Sequence, residues 1–188
     1  KRIEEMAITK NETIVEWKSQ DSTPALKLTP SKLIQIQKLP YTKCGGLPGR
    51  CKLVTDMPIM LTRNISVELG LTNRQIGKVV HVVTDSKHKK LVNNILHLQS
   101  LPHCVIVSFN QMECPQLDKL NKHEVPIFPI QTAFKYKFPG MSKPITVTRK
   151  QIPLEPAFAY TAHKAQGNYI HLDSYTDTIL KSEGNEFI

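Results

Sequence analysis

Between residues 76 and 149 the chain is built from short β-branched or aromatic runs, each ended by proline, glycine or a polar cluster. Thr132-Ala-Phe-Lys-Tyr-Lys-Phe138 alternates cleanly, with Phe134, Tyr136 and Phe138 on one face and Lys135 and Lys137 on the other. Pro139-Gly-Met-Ser-Lys143 turns the chain into the β-branched run that starts at Ile145, so the two runs read as a hairpin. Gly77–Val83 and Pro102–Phe109 read as further strands, with His103 at a solvated edge. Val125-Pro-Ile-Phe-Pro-Ile130 is extended because each proline restrains the residue before it. About five short strands with turn signals between them predict a small β-barrel over 76–149. Its interior takes Phe134, Tyr136 and Phe138; the competing use of these rings is to stack on bases. Asp85-Ser-Lys-His-Lys-Lys90 reads as a charged surface turn.

The flanks are less regular. Ile14-Val-Glu-Trp17 suits a short strand with Trp17, the only tryptophan, as a core anchor. From Ser31 the spacing of Leu33, Ile34, Ile36 and Leu39 suits either a short helix capped by Ser31 or an edge strand. Met57-Pro-Ile-Met-Leu-Thr-Arg63 reads as a buried strand, with Pro58 at its start, where no ladder donor is needed. Lys43-Cys-Gly-Gly-Leu-Pro-Gly-Arg50 is rich in glycine and basic, which suggests a phosphate cradle. Its spacing excludes that reading, because no G-x-x-x-x-G-K-[ST] occurs anywhere in the chain. It reads as a connector, and no complete ATP site can be assembled from this sequence.

A formal net charge of +9 and a pI near 9.4 over 188 residues favour an anionic partner, nucleic acid first. Cys44, Cys51, Cys104 and Cys114 do not fall at zinc-site spacings, and they read as reduced core thiols; no metal site is assigned. No run of about 18 apolar residues is present, so no membrane-spanning helix is expected. The chain begins with Lys1 and reads as a piece of something longer.

The densest polar chemistry is near the end: Thr161, His163, Lys164, Gln166 and Gly167 fall within seven positions, directly after a run of small apolar residues. Hydroxyl, imidazole, ammonium and amide groups all contact phosphate oxygens, and a glycine lets backbone approach a ligand closely. On chemistry alone the segment is either a polyanion-contacting turn or a solvated loop.

The wider window adds a resemblance that favours the first. R-x-Q-x-P-L at Arg149, Gln151, Pro153 and Leu154 is followed by A-x-A-x-T-x-H-K-x-Q-G through Gly167. It resembles motif V of superfamily 1 helicases of the PIF/RecD type, including those of Helitron transposons. Upstream, Pro58-Ile-Met-Leu-x-x-Asn64, Gly70-Leu-x-Asn73 and Gly77-x-Val79 are similar to a second motif of that family, in the family's order. One departure stands out: the family has Asn-Gly where this chain has Asn73-Arg74, so a different turn is expected there. After Gly167 the Asn168-Tyr-Ile-His171 continuation is nearer the RecD side.

The resemblance implies an α/β fold with an all-β insertion, namely part of a second RecA-like lobe interrupted by a small SH3-like β-barrel. Residues 1–75 would be lobe and lead-in, 76–149 the barrel, and 150–188 the return to the lobe. It implies Thr161, His163 and Lys164 on the backbone of single-stranded DNA, and Gln166 and Gly167 on the nucleotide side of the cleft. No residue is assigned a catalytic role. ATP and Mg2+ belong to the full-length enzyme, completed by an N-terminal RecA-like lobe and by a motif VI arginine that this chain does not contain. The implied activity is ATP-dependent, 5′ to 3′ unwinding in repair, recombination or transposition, in the nucleus or mitochondria, although no targeting signal is visible. Two other classes compete: a stand-alone single-strand nucleic-acid binding module, and an inactive transposon-derived remnant.

Overall fold

Among the described residues twelve strands share three sheets, with two short α-helices set against them. The structure, a computed structural model, describes residues 1–85, 89–110 and 116–158. Helix α1 (Arg2–Lys10) ends on Asn11, whose φ of 52° is the left-handed cap conformation that Asn tolerates. Strands β1 (Ile14–Lys18) and β2 (Gln20–Ser22) follow, then α2 (Pro30–Gln37), β3 (Arg50–Leu53) and β4 (Pro58–Leu61). The long strand β5 (Ile76–Val83) precedes β6 (Lys89–Val92), β7 (Ile95–Leu98), β8 (Cys104–Ser108) and β9 (Glu124–Ile127). Strands β10 (Ile130–Tyr136), β11 (Ile145–Gln151) and β12 (Leu154–Pro156) complete the described chain.

The expected strand at Ile14–Trp17, the buried strand opening on Pro58 and the strands over 77–83 and 104–108 are all present. So is the hairpin: β10 pairs β11 antiparallel from Ile130↔Gln151 to Tyr136↔Ile145. Phe134 and Phe138 are buried, Tyr136 is half-buried, and Lys135 and Lys137 are exposed, as the alternation requires. From Ser31 the chain is helical rather than an edge strand. Thr29 is the N-cap, accepting from the Lys32 amide, because Pro30 takes the first helical position.

The strands between 76 and 149 do not close on themselves. Their sheets run β3-β1-β7-β6, β10-β11-β2 and β12-β4-β5-β8-β9, so each recruits strands from outside that interval. No closed barrel forms among the described residues. The physical reason lies in what covers the aromatic face of the hairpin. Phe134, Phe138 and Val147 pack on Ile36 and Cys44, with Leu33 and Leu39 alongside, so α2 and its following loop fill the place that a barrel interior was expected to fill. A second, larger core joins Trp17 and Leu53 to Ile59, Leu61, Val79, Val107, Phe109, Ile127, Ile152 and Leu154. Residues 1–158 form one compact unit, and neither residue 75/76 nor 149/150 separates one sheet from another. A parallel sheet flanked by helices, as in a RecA-like lobe, is not seen among the described residues; β1 with β7 is the one parallel strand pair there. No described helix is long and apolar enough to cross a membrane.

Two turns differ from expectation. Lys89 and Lys90 belong to β6, not to a turn, because Asn93 and Asn94 adopt φ of 49° and 60° and fold β6 back on β7. Two successive positive φ values are what a tight two-residue hairpin demands, and Asn meets that demand less visibly than Asn-Gly. Arg74 has φ of 75°, and the Gln75 amide donates to the Thr72 carbonyl at 3.0 Å. The third position of that turn is where a type II turn takes glycine. Arg74 therefore keeps the glycine-type conformation that its side chain disfavours. Arg74→Val, which puts a β-branched residue at this positive φ, is expected to lower stability by about 1–3 kcal/mol in chemical denaturation.

Candidate nucleic-acid interface

Thr161, His163, Lys164, Gln166 and Gly167 lie outside the described residues. The structure does describe the part of the same motif that leads to them, Arg149 to Ala157, and its residues are used as a frame.

Arg149 sits on β11 with its side chain fully buried. Its Nε and Nη2 donate to the two carboxylate oxygens of Asp21 on β2, at 2.7 and 3.1 Å. Its Nη1 donates to the Leu47 carbonyl at 3.1 Å, and Nη2 also to the Ile36 carbonyl at 2.9 Å, in the last turn of α2. The guanidinium lies 5.2 Å from the centre of the Phe134 ring. Bidentate pairing and two carbonyls satisfy a charge that would otherwise be prohibitive to bury. One side chain thus ties β11, β2, α2 and the glycine-rich loop together.

Gln151, two residues on and also fully buried, accepts from Trp17 Nε1 at 2.7 Å and from the Ile152 amide at 2.9 Å. Its Nε2 is buried without a hydrogen-bond partner. Pro153 gives its carbonyl to the Thr62 amide at 3.0 Å, and Leu154 and Glu155 pair with Leu61 and Met60 in the β12–β4 ladder. This places the two resembling segments side by side: the Pro58–Leu61 strand is hydrogen-bonded to the strand that follows R-x-Q-x-P. Sequence spacing gave no sign of that contact, since almost a hundred residues intervene.

The glycine-rich loop is filled by protein. A Cβ on Gly45 would lie 2.6 Å from Thr132 Oγ1, and one on Gly46 2.8 Å from the Thr62 carbonyl oxygen. Gly49 is tighter still, its hypothetical Cβ 2.0 Å from the Gln37 carbonyl oxygen at the end of α2. Arg63 Nη1 donates to the Gly45 carbonyl at 2.7 Å, so this guanidinium is engaged with the loop's backbone. These glycines serve close packing, and the loop does not fit a nucleotide phosphate. No group of three or more His, Cys, Asp or Glu placed to hold a metal ion occurs among the described residues. Burial pushes the Cys44, Cys51 and Cys104 thiols up, with Glu155 adding to the effect at Cys51, so they are neutral core groups. Cys114 lies outside the described residues, as does Lys87.

Base stacking by the hairpin aromatics is closed off. Phe134 and Phe138 are buried, and Tyr136 sets its ring edge-on to Phe138 at 4.7 Å and 86°. Elsewhere, Glu16 is a nearly buried carboxylate facing Arg50 at 3.0 Å, His97 Nδ1 at 3.4 Å and Lys52 at 3.9 Å. Its partners all come from neighbouring strands of one sheet, and the group reads as a charge-balanced sheet face rather than a site.

No family model matches this chain, and no curated protein matches it. Among solved structures it is similar to Pif1 helicase from Candida albicans, with 21% identity, a TM-score of 0.47, and coverage of 89% of this chain and 35% of that one. It is also similar to unliganded Pif1 from Bacteroides sp, with 17% identity, a TM-score of 0.44, and coverage of 88% and 40%. The chain spans well under half the length of either helicase.

Arg149→Ala leaves Asp21 buried without its counter-ion and is expected to cost about 3–5 kcal/mol in denaturant unfolding. Gly49→Ala forces α2 away from the loop and is expected to cost about 1–3 kcal/mol, measured the same way.

Proposed function

We propose that this chain is part of the second motor lobe of an ATP-dependent DNA helicase of the PIF/RecD type, touching single-stranded DNA through Thr161, His163 and Lys164. The observation that carries this reading is the use made of Arg149 and Gln151. Both fixed polar positions of R-x-Q-x-P-L are fully buried and hydrogen-bonded to residues of the first fifty. Residues committed to the frame account for the first half of the motif. The cluster from Thr161 to Gly167 carries the motif's remaining polar groups, of types that contact phosphate.

In this reading Gln166 and Gly167 face the nucleotide side of the cleft. ATP and Mg2+, held mainly by an N-terminal lobe, supply the hydrolysis that drives movement. The described residues hold no phosphate cradle of their own, so the chain's share is to grip DNA and to answer the nucleotide state. Movement would run 5′ to 3′, in repair, recombination or transposition, in the nucleus or a mitochondrion. The five-stranded sheet supports an SH3-like module with bounds other than 76–149. Its order β12-β4-β5-β8-β9 has antiparallel neighbours throughout, and β5 carries an irregularity between Val79 and His81 that lets a long strand bend. Such a module would run from Pro58 to Pro156, with the β6–β7 and β10–β11 hairpins as excursions from it.

Two measurements test the reading. Residues 1–188 alone are expected to show no DNA-stimulated ATP turnover, and turnover is expected once a lobe with a P-loop is supplied; turnover by the isolated chain would refute the division of labour. On single-stranded oligonucleotides, Lys164→Ala is expected to make the log affinity against log salt slope shallower by about 0.7, the value of one phosphate contact. Thr161→Val is expected to weaken binding by about 1 kcal/mol with the slope unchanged, since it removes a neutral hydrogen bond. Unchanged affinity and slope in folded Lys164→Ala would withdraw that lysine from the interface.

A further inference from the structure

From Val125 to Leu154 the chain contains no aspartate or glutamate, but it contains Lys135, Lys137, Lys143, Arg149 and Lys150. The three-stranded sheet β10-β11-β2 sorts these charges by face. Directly paired residues share a face, so Arg149↔Asp21 and Phe134↔Val147 point to the covered side, where α2 and the glycine loop lie. The opposite face carries Lys150 between Gln131 and Gln20, then Thr148 between Ala133 and Ser22, then Thr146 beside Lys135. Lys150, Lys135, Gln131 and Gln20 are exposed, and both threonines are half-buried. The sheet's single carboxylate, Asp21, is turned inward and neutralised by Arg149.

We propose that this outer face is a second contact surface for single-stranded DNA, gripping its sugar–phosphate backbone without reading its bases. It rests on the reading above that DNA is the partner. Charge complementarity selects the occupant: two lysines, whose backbone positions lie about 13 Å apart along the strand direction, flank a lane of hydroxyl and amide groups with no acid among them. Lys135 Nζ donates to Thr146 Oγ1 at 2.6 Å, which fixes its position and leaves two further N–H donors free for phosphate oxygens. The face presents no aromatic ring and no arginine fork: Phe134 and Arg149 belong to the buried side. Groups of this kind contact phosphate and sugar and carry no sequence information. The twisted ladder between β10 and β11 holds them more firmly than a loop would.

The test is a salt titration of the whole 188-residue chain with oligo-dT and oligo-dA, read by fluorescence anisotropy. Lys135→Ala with Lys150→Ala is expected to make the log–log slope shallower by about 1.4, two phosphate contacts, and to weaken dT and dA alike. Thr148→Val is expected to weaken binding with the slope unchanged. Lys78→Ala with Lys122→Ala, two exposed lysines outside this sheet, removes the same charge and is expected to leave the slope alone. Circular dichroism confirms folding, and lysine-to-glutamine versions replace any alanine variant that fails it. Equal flattening by the control pair means diffuse attraction and overturns the proposal. So does an unchanged slope in the double variant, and so does loss of binding to anionic lipid vesicles with oligonucleotide binding intact. Lys164→Ala in the same assay separates the two ideas. If it flattens the slope while the sheet variant does not, motif contact stands and this face falls; the reverse result keeps the face and removes the motif contact.

Discussion

The buried pair of Arg149 and Asp21 is the interaction on which the rest of the described structure depends. Strand β2 is three residues long and has three ladder pairs with β11. Asp21 fastens it through two charge-assisted bonds to β11. The same guanidinium accepts no substitute of similar length. Lysine has no planar fork to span a carboxylate while also reaching the Leu47 and Ile36 carbonyls. Its position beside the last turn of α2 adds a favourable charge at the carbonyl end of a helix, which a short eight-residue helix needs more than a long one. A hydrophobic pair of equal volume would fill the space, but it would not dictate which strand, helix and loop meet.

The glycine-rich loop shows the same economy in a different material. Composition makes it look like a phosphate cradle, and the contacts make it a gasket. Gly45 and Gly46 take φ of 63° and 82°, and Gly49 lets the chain run against the end of α2 with no room for a methyl group. Thr62 Oγ1 donates to the Gly46 carbonyl from just beyond β4. The loop is therefore clamped between both cores, and a bound ligand there would have to displace protein.

Local periodicity was legible and long-range pairing was not. Alternation over 132–138 assigned Phe134 and Phe138 to the interior and Lys135 and Lys137 to solvent, because a period of two depends only on the backbone pleat. It did not say what covers the apolar face, and a barrel interior was expected where α2 in fact packs. Trp17 was legible as a core anchor, while its bond to Gln151, more than a hundred residues away, was not. Over 31–39 the spacing left a short helix and an edge strand open. The cap candidate Ser31 lies two residues past the actual cap, because Thr29 and Ser31 hydroxyls are equally good acceptors and Pro30 breaks the tie. The Asn93-Asn94 turn went unread because asparagine marks a left-handed residue less plainly than glycine. Of the candidate site, the sequence showed the residue types; the described structure supplies the frame before them.

That frame bears on how a segment beyond it can work. A group that grips a ligand and answers a second one must be held by elements that do not yield when either is bound. The last described stretch meets this requirement at several points: β12 pairs with β4, the Ala157 amide donates to the Pro58 carbonyl at 2.9 Å, and Arg2 Nη1 donates to the Phe158 carbonyl at 2.7 Å. Strand β4 is in turn paired to β5, β5 to β8, and β8 to β9. Arg149 and Gln151 anchor the same stretch from the other end, to β2, α2 and β1. The chain therefore reaches Phe158 from a stretch tied to all three sheets and both helices. Ladder pairs and hydrogen bonds to distant elements, rather than loop contacts, hold the last described residues in place.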